Sequence, residues 1–411
     1  MNVNVDGARV WRELETLATF SEAPAPVVTR VVFSAADRRA REYVKGLCRD
    51  ASLDVREDPV GNTFARWRGR DAAAAGVATG SHIDAIPNAG RFDGTVGVLG
   101  GLEAIRALQR SGFTPARSIE LILFTAEEPT RFGIGCLGSR LMSGALDPSA
   151  GDTLASDGAS LNAVRASAGF AGALSDVQVQ PGAYSAFVEL HIEQGPLLEQ
   201  RSLDIGIVTA IAAPASLRIL IEGEGGHAGA VLMPERHDAF LAAAEIALAI
   251  EQAARSTGSI DTVATVGVCE LFPGAINSVP SRARIEVDVR DIDGARRDTV
   301  LASIERANQN VAARRGVTIR TEPINADPPA SCAPAIVNAI ASACDARRLR
   351  SRQMISRAYH DSLFMSRIAP TGMIFVPCRG GVSHRPDEYA SPEAIERGVE
   401  ILGATLAELA G

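Results

Sequence analysis

Apolar positions recur at helical spacing over residues 9–47, and after Leu53 the pattern shortens into extended runs such as residues 63–67. The segment GVATGSHI, residues 76–83, is a short apolar run closed by a stretch rich in Gly, Pro and Asn, which predicts a buried strand followed by a polar loop. Beyond Asp93, the residues Val98, Leu99, Leu102, Ile105 and Leu108 fall on one helical face, and Gly112 stands just past its end. SIELILFT, residues 118–125, predicts the next strand. Strand, helix, strand alternation implies an α/β domain whose sheet is covered on both faces by helices.

Around Pro214 the rhythm changes. Strands are predicted at residues 216–224, 262–271, 281–291 and 318–324, with helices at 238–256 and 294–315. The order β-α-β-β-α-β is that of a ferredoxin-like α+β module. From Pro328 the α/β rhythm returns, so a discontinuous catalytic domain is expected in residues 1–213 and 328–411, interrupted by a lid or dimerisation domain in 214–327. The Gly/Ala/Ser-rich piece at 144–172 is expected to be a long surface excursion.

The 411 residues suffice for two or three domains, and 46% hydrophobic with 22% charged residues is an ordinary globular composition. A net charge of −8 without a Lys/Arg-rich run gives no footprint for nucleic acid or for an anionic membrane. The six cysteines, Cys48, Cys136, Cys269, Cys332, Cys344 and Cys378, form no Cys-x-x-Cys pair and are expected to be reduced. The N-terminal residues lack the basic and apolar blocks of a signal peptide, and no apolar run is long enough to span a bilayer, so a cytoplasmic enzyme is expected.

Candidate chemistry lies just past the predicted strands. His82 offers an imidazole for a divalent metal, and Asp84 is the natural carboxylate to orient it. Asp93 precedes a predicted helix and is either its N-cap or a ligand. Glu127 and Glu128 are adjacent acids at a strand end, where open α/β sheets place their crevice. Such a pair is explained by a nearby cation, with one acid as ligand and the other as general base. Four of the six histidines, His82, His191, His227 and His384, stand in Gly- or acid-rich loops beside predicted strands. Two histidines with two or three carboxylates suit a two-metal hydrolytic site better than a closed structural zinc site.

The ordered set GSHIDAIPNAGRFDG, FTAEEPTRFGIGCLGSR, ELHIEQGP, GGHAGAV, PGAINSVP, DVRDID and GVSHRPDEY resembles the amidase branch of the aminoacylase/carboxypeptidase dinuclear metallohydrolase family. The resemblance runs from about residue 20 to the C-terminus and is most specific toward ureidoglycolate amidohydrolases, through IGIVTAIAAPASL, GGHAGAVLMPERHDA and ISRAYHDSLFMSRIAPTGMIFVPC. It implies a zinc-peptidase-like α/β catalytic domain, a mixed sheet between helices, carrying the inserted module. It also implies that His82, Asp93, Glu128, His191 and His384 hold two divalent ions, with Asp93 shared and Glu127 as base and proton shuttle. Manganese is favoured, and Zn²⁺, Co²⁺ or Ni²⁺ suit the same donors.

In the family, His227, Asn277 and Arg290 come from the partner subunit, which implies a homodimer, while Gln194, Tyr359 and His360 line the substrate pocket. A guanidinium such as Arg290 suits a substrate carboxylate, and His227 with Asn277 can donate to a developing oxyanion. The expected reaction is hydrolysis of (S)-ureidoglycolate, a small ureido acid, to glyoxylate, ammonia and CO₂ in purine and ureide breakdown. The nearest alternatives are allantoate or an N-carbamoyl-L-amino acid as substrate.

Overall fold

A computed structural model describes residues 3–411. It contains two compact units: one runs to Thr209 and resumes at Ser331, and the other is Ala210–Ala330.

The first unit is built on a nine-stranded mixed sheet. Its centre is four parallel strands in the order Ile119–Phe124, Gly76–His82, Tyr184–Ile192 and Thr371–Val376. Antiparallel strands extend it on both sides, Thr63–Trp67 and Asp54–Glu57 beyond Ile119–Phe124, and Ile205–Ile211 beyond Thr371–Val376. Gly76–His82 and Ile119–Phe124 are buried at every position, as strands covered on both faces must be. The helices Thr95–Arg110 and Pro392–Ala410 pack on each other and on this sheet. Close approach requires glycine: a Cβ on Gly97 would lie 2.3 Å from the Leu190 carbonyl oxygen.

Several expectations change. The helical run over residues 9–47 is two helices, Gly7–Ala18 and Ala35–Asp50, each started by a side-chain cap, Asp6 on the Arg9 amide and Ser34 on the Asp37 amide. Pro24 and Pro26 break the run, and Val28–Arg30 forms a strand there. That strand pairs with Ala85–Ala89, so the stretch expected to be a polar loop is partly extended. The region 144–172 lies at the surface over most of its length, as expected, but it is anchored: it holds the helix Leu161–Ser167, whose Leu161 and Val164 join a core cluster with Phe187 and Met365.

The second unit has the expected order: Ala213–Glu222, helix Ala239–Arg255, Val263–Phe272, Arg282–Asp291, helix Gly294–Arg315 and Thr318–Ala326. Its four-stranded sheet is antiparallel, with Arg282–Asp291 and Ala213–Glu222 central and Val263–Phe272 at one edge. Strict alternation of burial along Arg282–Asp291 turns Ile285, Val287 and Val289 toward Ile246, Ile250, Val300 and Ile304 of the two helices. A short additional pair, Gly226–His227 with Ser278–Val279, was not expected from periodicity.

Candidate metal centre

The four central parallel strands deliver the chemistry at their carboxyl ends. His82 closes Gly76–His82, opposite Phe124 in register, and His191 lies opposite Phe375. Glu127 and Glu128 follow Ile119–Phe124, and His384 follows Thr371–Val376. This is where open α/β sheets present their ligands.

Asp93 is the centre of the arrangement. One oxygen, Oδ1, lies 3.1 Å from His191 Nε2 and 3.6 Å from His82 Nε2. The other, Oδ2, lies 3.1 Å from His384 Nε2, which is also 3.2 Å from Glu128 Oε1. Two ligand groups result, His82/Asp93/His191 and Asp93/Glu128/His384, and they share Asp93. The capping alternative for Asp93 falls away, because the following helix begins from Gly94, with no side-chain cap. Gly94 has φ +65°, and a Cβ there would sit 2.4 Å from His82 Nε2, so the turn must be glycine for the imidazole to face Asp93.

The histidines are oriented as metal ligands. Nδ1 of His82 lies 3.0 Å from the Asp84 backbone oxygen and Nδ1 of His191 lies 2.9 Å from the Ile192 oxygen. A carbonyl only accepts, so each Nδ1 carries a hydrogen and each Nε2 is the ring atom turned toward Asp93, where a divalent ion would be held. The donor set therefore fits a divalent ion. A third group, Glu189/His191/His360, is chemically similar. There, however, Glu189 already accepts from Ser81 Oγ at 2.8 Å and from Ser362 at 3.0 and 2.6 Å.

Asp84 differs from expectation. Its carboxylate is 3.8 Å from His82 Nδ1 and instead accepts the backbone N–H groups of Glu127 and Glu128 at 3.2 and 3.0 Å. It aligns the two glutamates, while its backbone carbonyl orients the imidazole.

Glu127 is buried, with Oε2 3.7 Å from His82 Nε2 and Oε1 3.4 Å from the Cys136 thiol. Burial and the neighbouring Glu128 push its carboxyl well above the usual range, against the pull of His82. Asp93 goes the other way: burial opposes ionisation, but hydrogen bonds from His191, His384 and His82 hold it well below its ordinary value. His384 is pushed up to about 11, chiefly by its hydrogen bonds to Asp93 and Glu128.

Of the expected pocket residues, Gln194 donates to Asp93 Oδ2 at 2.7 Å, and its own Oε1 is buried without a hydrogen-bond partner. The His360 ring lies 4.5 Å from the His191 ring, and the Tyr359 hydroxyl accepts from Arg140 at 2.7 Å. His227, Asn277 and Arg290 belong to the second unit. There the Ala228 amide donates to the Asn277 carbonyl at 2.8 Å, which holds His227 and Asn277 as neighbours, both exposed. Arg290 pairs with Asp288 at 2.9 Å.

Ser383 and Glu388 escaped the sequence reading. Ser383 Oγ lies 2.8 Å from Asp93 Oδ2 and 2.9 Å from Glu388 Oε2, and Glu388 accepts the Phe92 and Asp93 amides at 2.7 and 3.1 Å. They fix the Asp93 turn from below. The only available signal was that both flank His384.

The profile of peptidase family M20/M25/M40 matches residues 78–408, a span holding every ligand described above. The chain belongs to this family. M20 enzymes are metal-dependent hydrolases, in accord with the shared-carboxylate site. The Arabidopsis thaliana ureidoglycolate hydrolase is 54% identical over 99% of this chain and 87% of its own length. The N-carbamoyl-L-amino acid amidohydrolase of Geobacillus stearothermophilus is 38% identical over 99% of both chains. A crystal structure of AtUAH in complex with glyoxylate superposes with a TM-score of 0.91 at 53% identity, covering 100% of this chain and 99% of that one. The expected M20-type metallohydrolase fold, a mixed sheet between helices, is thereby established.

The charge arrangement predicts how stability of the metal-free protein responds to pH. His384 rises from 6.5 to about 11. Burial raises Asp361 from 3.8 to about 8, and burial with the nearby Asp93 raises Glu388 from 4.5 to about 7. Each group binds more protons folded than unfolded, Asp361 from 3.8 to about 8 and His384 from 6.5 to about 11, so stability falls as pH rises wherever these windows overlap. The depressed Asp93 has the opposite sign but acts only below its unfolded value of 3.8. The melting temperature of the chelated protein is expected to drop between pH 6.5 and 8, and metal, which takes the protons' place on the histidines, is expected to flatten the profile. A flat profile without metal would contradict the charge assignment.

Proposed function

We propose that this chain hydrolyses (S)-ureidoglycolate to glyoxylate, two ammonia molecules and CO₂, in the breakdown of purine-derived ureides. The observation that carries the proposal is the shared Asp93 between two ligand groups, in a chain 54% identical over 99% of its length to a ureidoglycolate hydrolase. His82 and His191 would hold one divalent ion and Glu128 and His384 a second, with Asp93 common to both; manganese is the ion proposed. When bound, the ions polarise the ureido carbonyl and lower the pKa of water at the site.

Glu127 takes the proton of the attacking water and returns it to the departing terminal nitrogen, which leaves as ammonia. The remaining N-carboxylate loses CO₂, and the resulting α-hydroxy amine expels the second ammonia to leave glyoxylate. The Gln194, Tyr359 and His360 side chains bind the acid in the first unit.

His227, Asn277 and Arg290 are proposed to complete the site of the partner in a homodimer. His227 Nδ1 accepts the Gly229 amide at 3.1 Å, so the hydrogen is on Nε2, available to an oxyanion, and Arg290 suits the substrate carboxylate. Support for a dimer comes from the edge strand Val263–Phe272, whose Val263, Leu271 and Phe272 are exposed, together with Leu248 and Ile260. No helix among the described residues is long and apolar enough to cross a membrane, and the proposed compartment is the cytoplasm, where thiols such as Cys48 and Cys344 stay reduced.

The test is release of ammonia and glyoxylate from (S)-ureidoglycolate, with allantoate and an N-carbamoyl-L-amino acid alongside, after chelation and after adding back Mn²⁺ or Zn²⁺. Metal-restored turnover of ureidoglycolate is expected. Turnover of the carbamoyl acid alone would move the function to that of the relative 38% identical. No turnover of any of the three would refute the substrate class.

A further inference from the structure

We propose that Cys136 is a positioning residue for the hydrolysis: its thiol holds Oε1 of Glu127, so that Oε2 is the oxygen turned to the metal centre and the one that carries the proton. The inference rests on the reading of Glu127 as the base given above.

The segment that bears the base is held along its length. The amides of Cys136, Leu137 and Gly138 donate to the carbonyls of Glu127, Ala126 and Thr125 at 2.7, 2.9 and 2.8 Å. The two stretches lie so close that a Cβ on Gly135 would stand 2.8 Å from the Glu127 carbonyl oxygen. Ala126 and Cys136 both have a left-handed backbone at φ 55°, a conformation that non-glycine residues keep only where the surroundings impose it. With the chain bent in this way, the fully buried Cys136 side chain meets the Glu127 carboxylate, Sγ to Oε1 at 3.4 Å.

The two carboxylate oxygens have different surroundings and so different tasks. An ionised carboxylate only accepts, so the thiol is the donor. Burial, with Glu127 and Asp361 nearby, pushes the thiol well above its ordinary value, and it stays an S–H. Cys136 is the single hydrogen-bond partner of Oε1 among the described residues. Oε2 instead stands 3.7 Å from His82 Nε2, the ring atom turned toward Asp93. The thiol bond suits both states of the base, because Oε1 still accepts when the proton sits on Oε2. Without it the carboxylate is free to turn about its last side-chain bonds, and a reacting group misplaced by about 1 Å costs as much as about 10²-fold in rate.

The experiment compares the metal-loaded wild type with Cys136→Ala, Cys136→Ser, Glu127→Gln and the double variant Cys136→Ala/Glu127→Gln. kcat, KM and metal content are measured on (S)-ureidoglycolate, and crystal structures are determined for wild type and Cys136→Ala with metal bound. Serine and alanine meet the same left-handed backbone as the cysteine, so the comparison isolates the side chain. Cys136→Ala is expected to lose about tenfold in kcat with KM and metal content unchanged, because the base acts in the transition state and not in binding. Cys136→Ser, which keeps a donor hydrogen, should recover most of that loss. Once residue 127 is an amide there is no proton to place, so Cys136→Ala added to Glu127→Gln should change kcat little. In the crystal structures the Glu127 carboxylate is expected against the thiol in wild type and turned from that position in Cys136→Ala.

Full kcat in Cys136→Ala, equal losses with serine and alanine, losses that multiply in the double variant, or an unmoved Glu127 side chain would each overturn the proposal. A rate that falls in step with metal content would overturn it too, leaving Cys136 a packing residue of the centre. Should Cys136→Ala fail to fold, Cys136→Gly removes the thiol with a residue that suits the left-handed backbone. If Glu127→Gln itself keeps normal kcat, the reading of Glu127 as base fails separately. If another acid of the panel is turned over instead of ureidoglycolate, the same ratios are read on that acid. If none is, the proposed function fails on its own and the crystal structures decide whether the thiol holds Glu127.

Discussion

Glu127→Gln is expected to lower kcat by about 10²- to 10⁴-fold, the range of a lost general acid–base group, with metal content unchanged. The amide has the shape of the carboxylate but cannot take up a proton. Its backbone remains clamped, because Asp84 holds the Glu127 and Glu128 amides rather than the Glu127 side chain. The Cys136 thiol, 3.4 Å from Oε1, can keep the side chain in place, so the other oxygen position still faces His82. The ligands Asp93, Glu128 and the three histidines are untouched. Single-turnover and steady-state rates, with metal determined by mass spectrometry on the same sample, separate the two effects. Near-normal kcat with metal bound would remove Glu127 from the mechanism. A fall in rate matched by loss of metal would make it a structural acid of the centre instead of its base.

Much of this arrangement was legible in the chain because period and motif coincide. The buried strand Gly76–His82 and the helix Thr95–Arg110 follow from local apolar spacing, and the strand and helix order of Ala210–Ala330 follows from alternation. The ligands stood out because histidines and paired acids just past a strand end are costly without a cation. What stayed hidden depended on distant partners. Ala85–Ala89 is extended because Val28–Arg30 pairs with it, and no local pattern announces a partner so far away. Leu161 and Val164 stand in a Gly/Ala/Ser-rich stretch whose composition gives no sign of the core they join with Phe187. The Asp84 carboxylate serves amides more than 40 residues away, on the next strand end, which nothing in its position beside His82 along the chain announces. Arg140 and Tyr359 are separated by 219 positions, and neither residue type alone suggests the pair.

Asp93→Ala is expected to be the most damaging change at the centre, with bound metal falling at both ligand groups and activity down by about 10³-fold or more, the several kcal/mol that metal-ion catalysis supplies. Removing Glu128 or His384 takes a donor from one group, whereas Asp93 belongs to both. Its loss also changes the charge logic around it. Hydrogen bonds to Asp93 are the first cause of the raised His384, and a hydrogen bond and charge from Asp93 work against the burial of His191. Without that carboxylate these imidazoles have less reason to hold protons. The metal-free variant should therefore show a weaker fall of melting temperature between pH 6.5 and 8 than the metal-free parent. Gln194 and Ser383, which both bond Oδ2 of Asp93, lose a shared acceptor in the same step, so the turn from Phe92 to Gly94 is held mainly by Glu388 through backbone amides. Metal stoichiometry and pH-dependent melting thus report on the same residue by independent routes. If the variant kept two bound ions per chain, Asp93 would not be the carboxylate common to both groups.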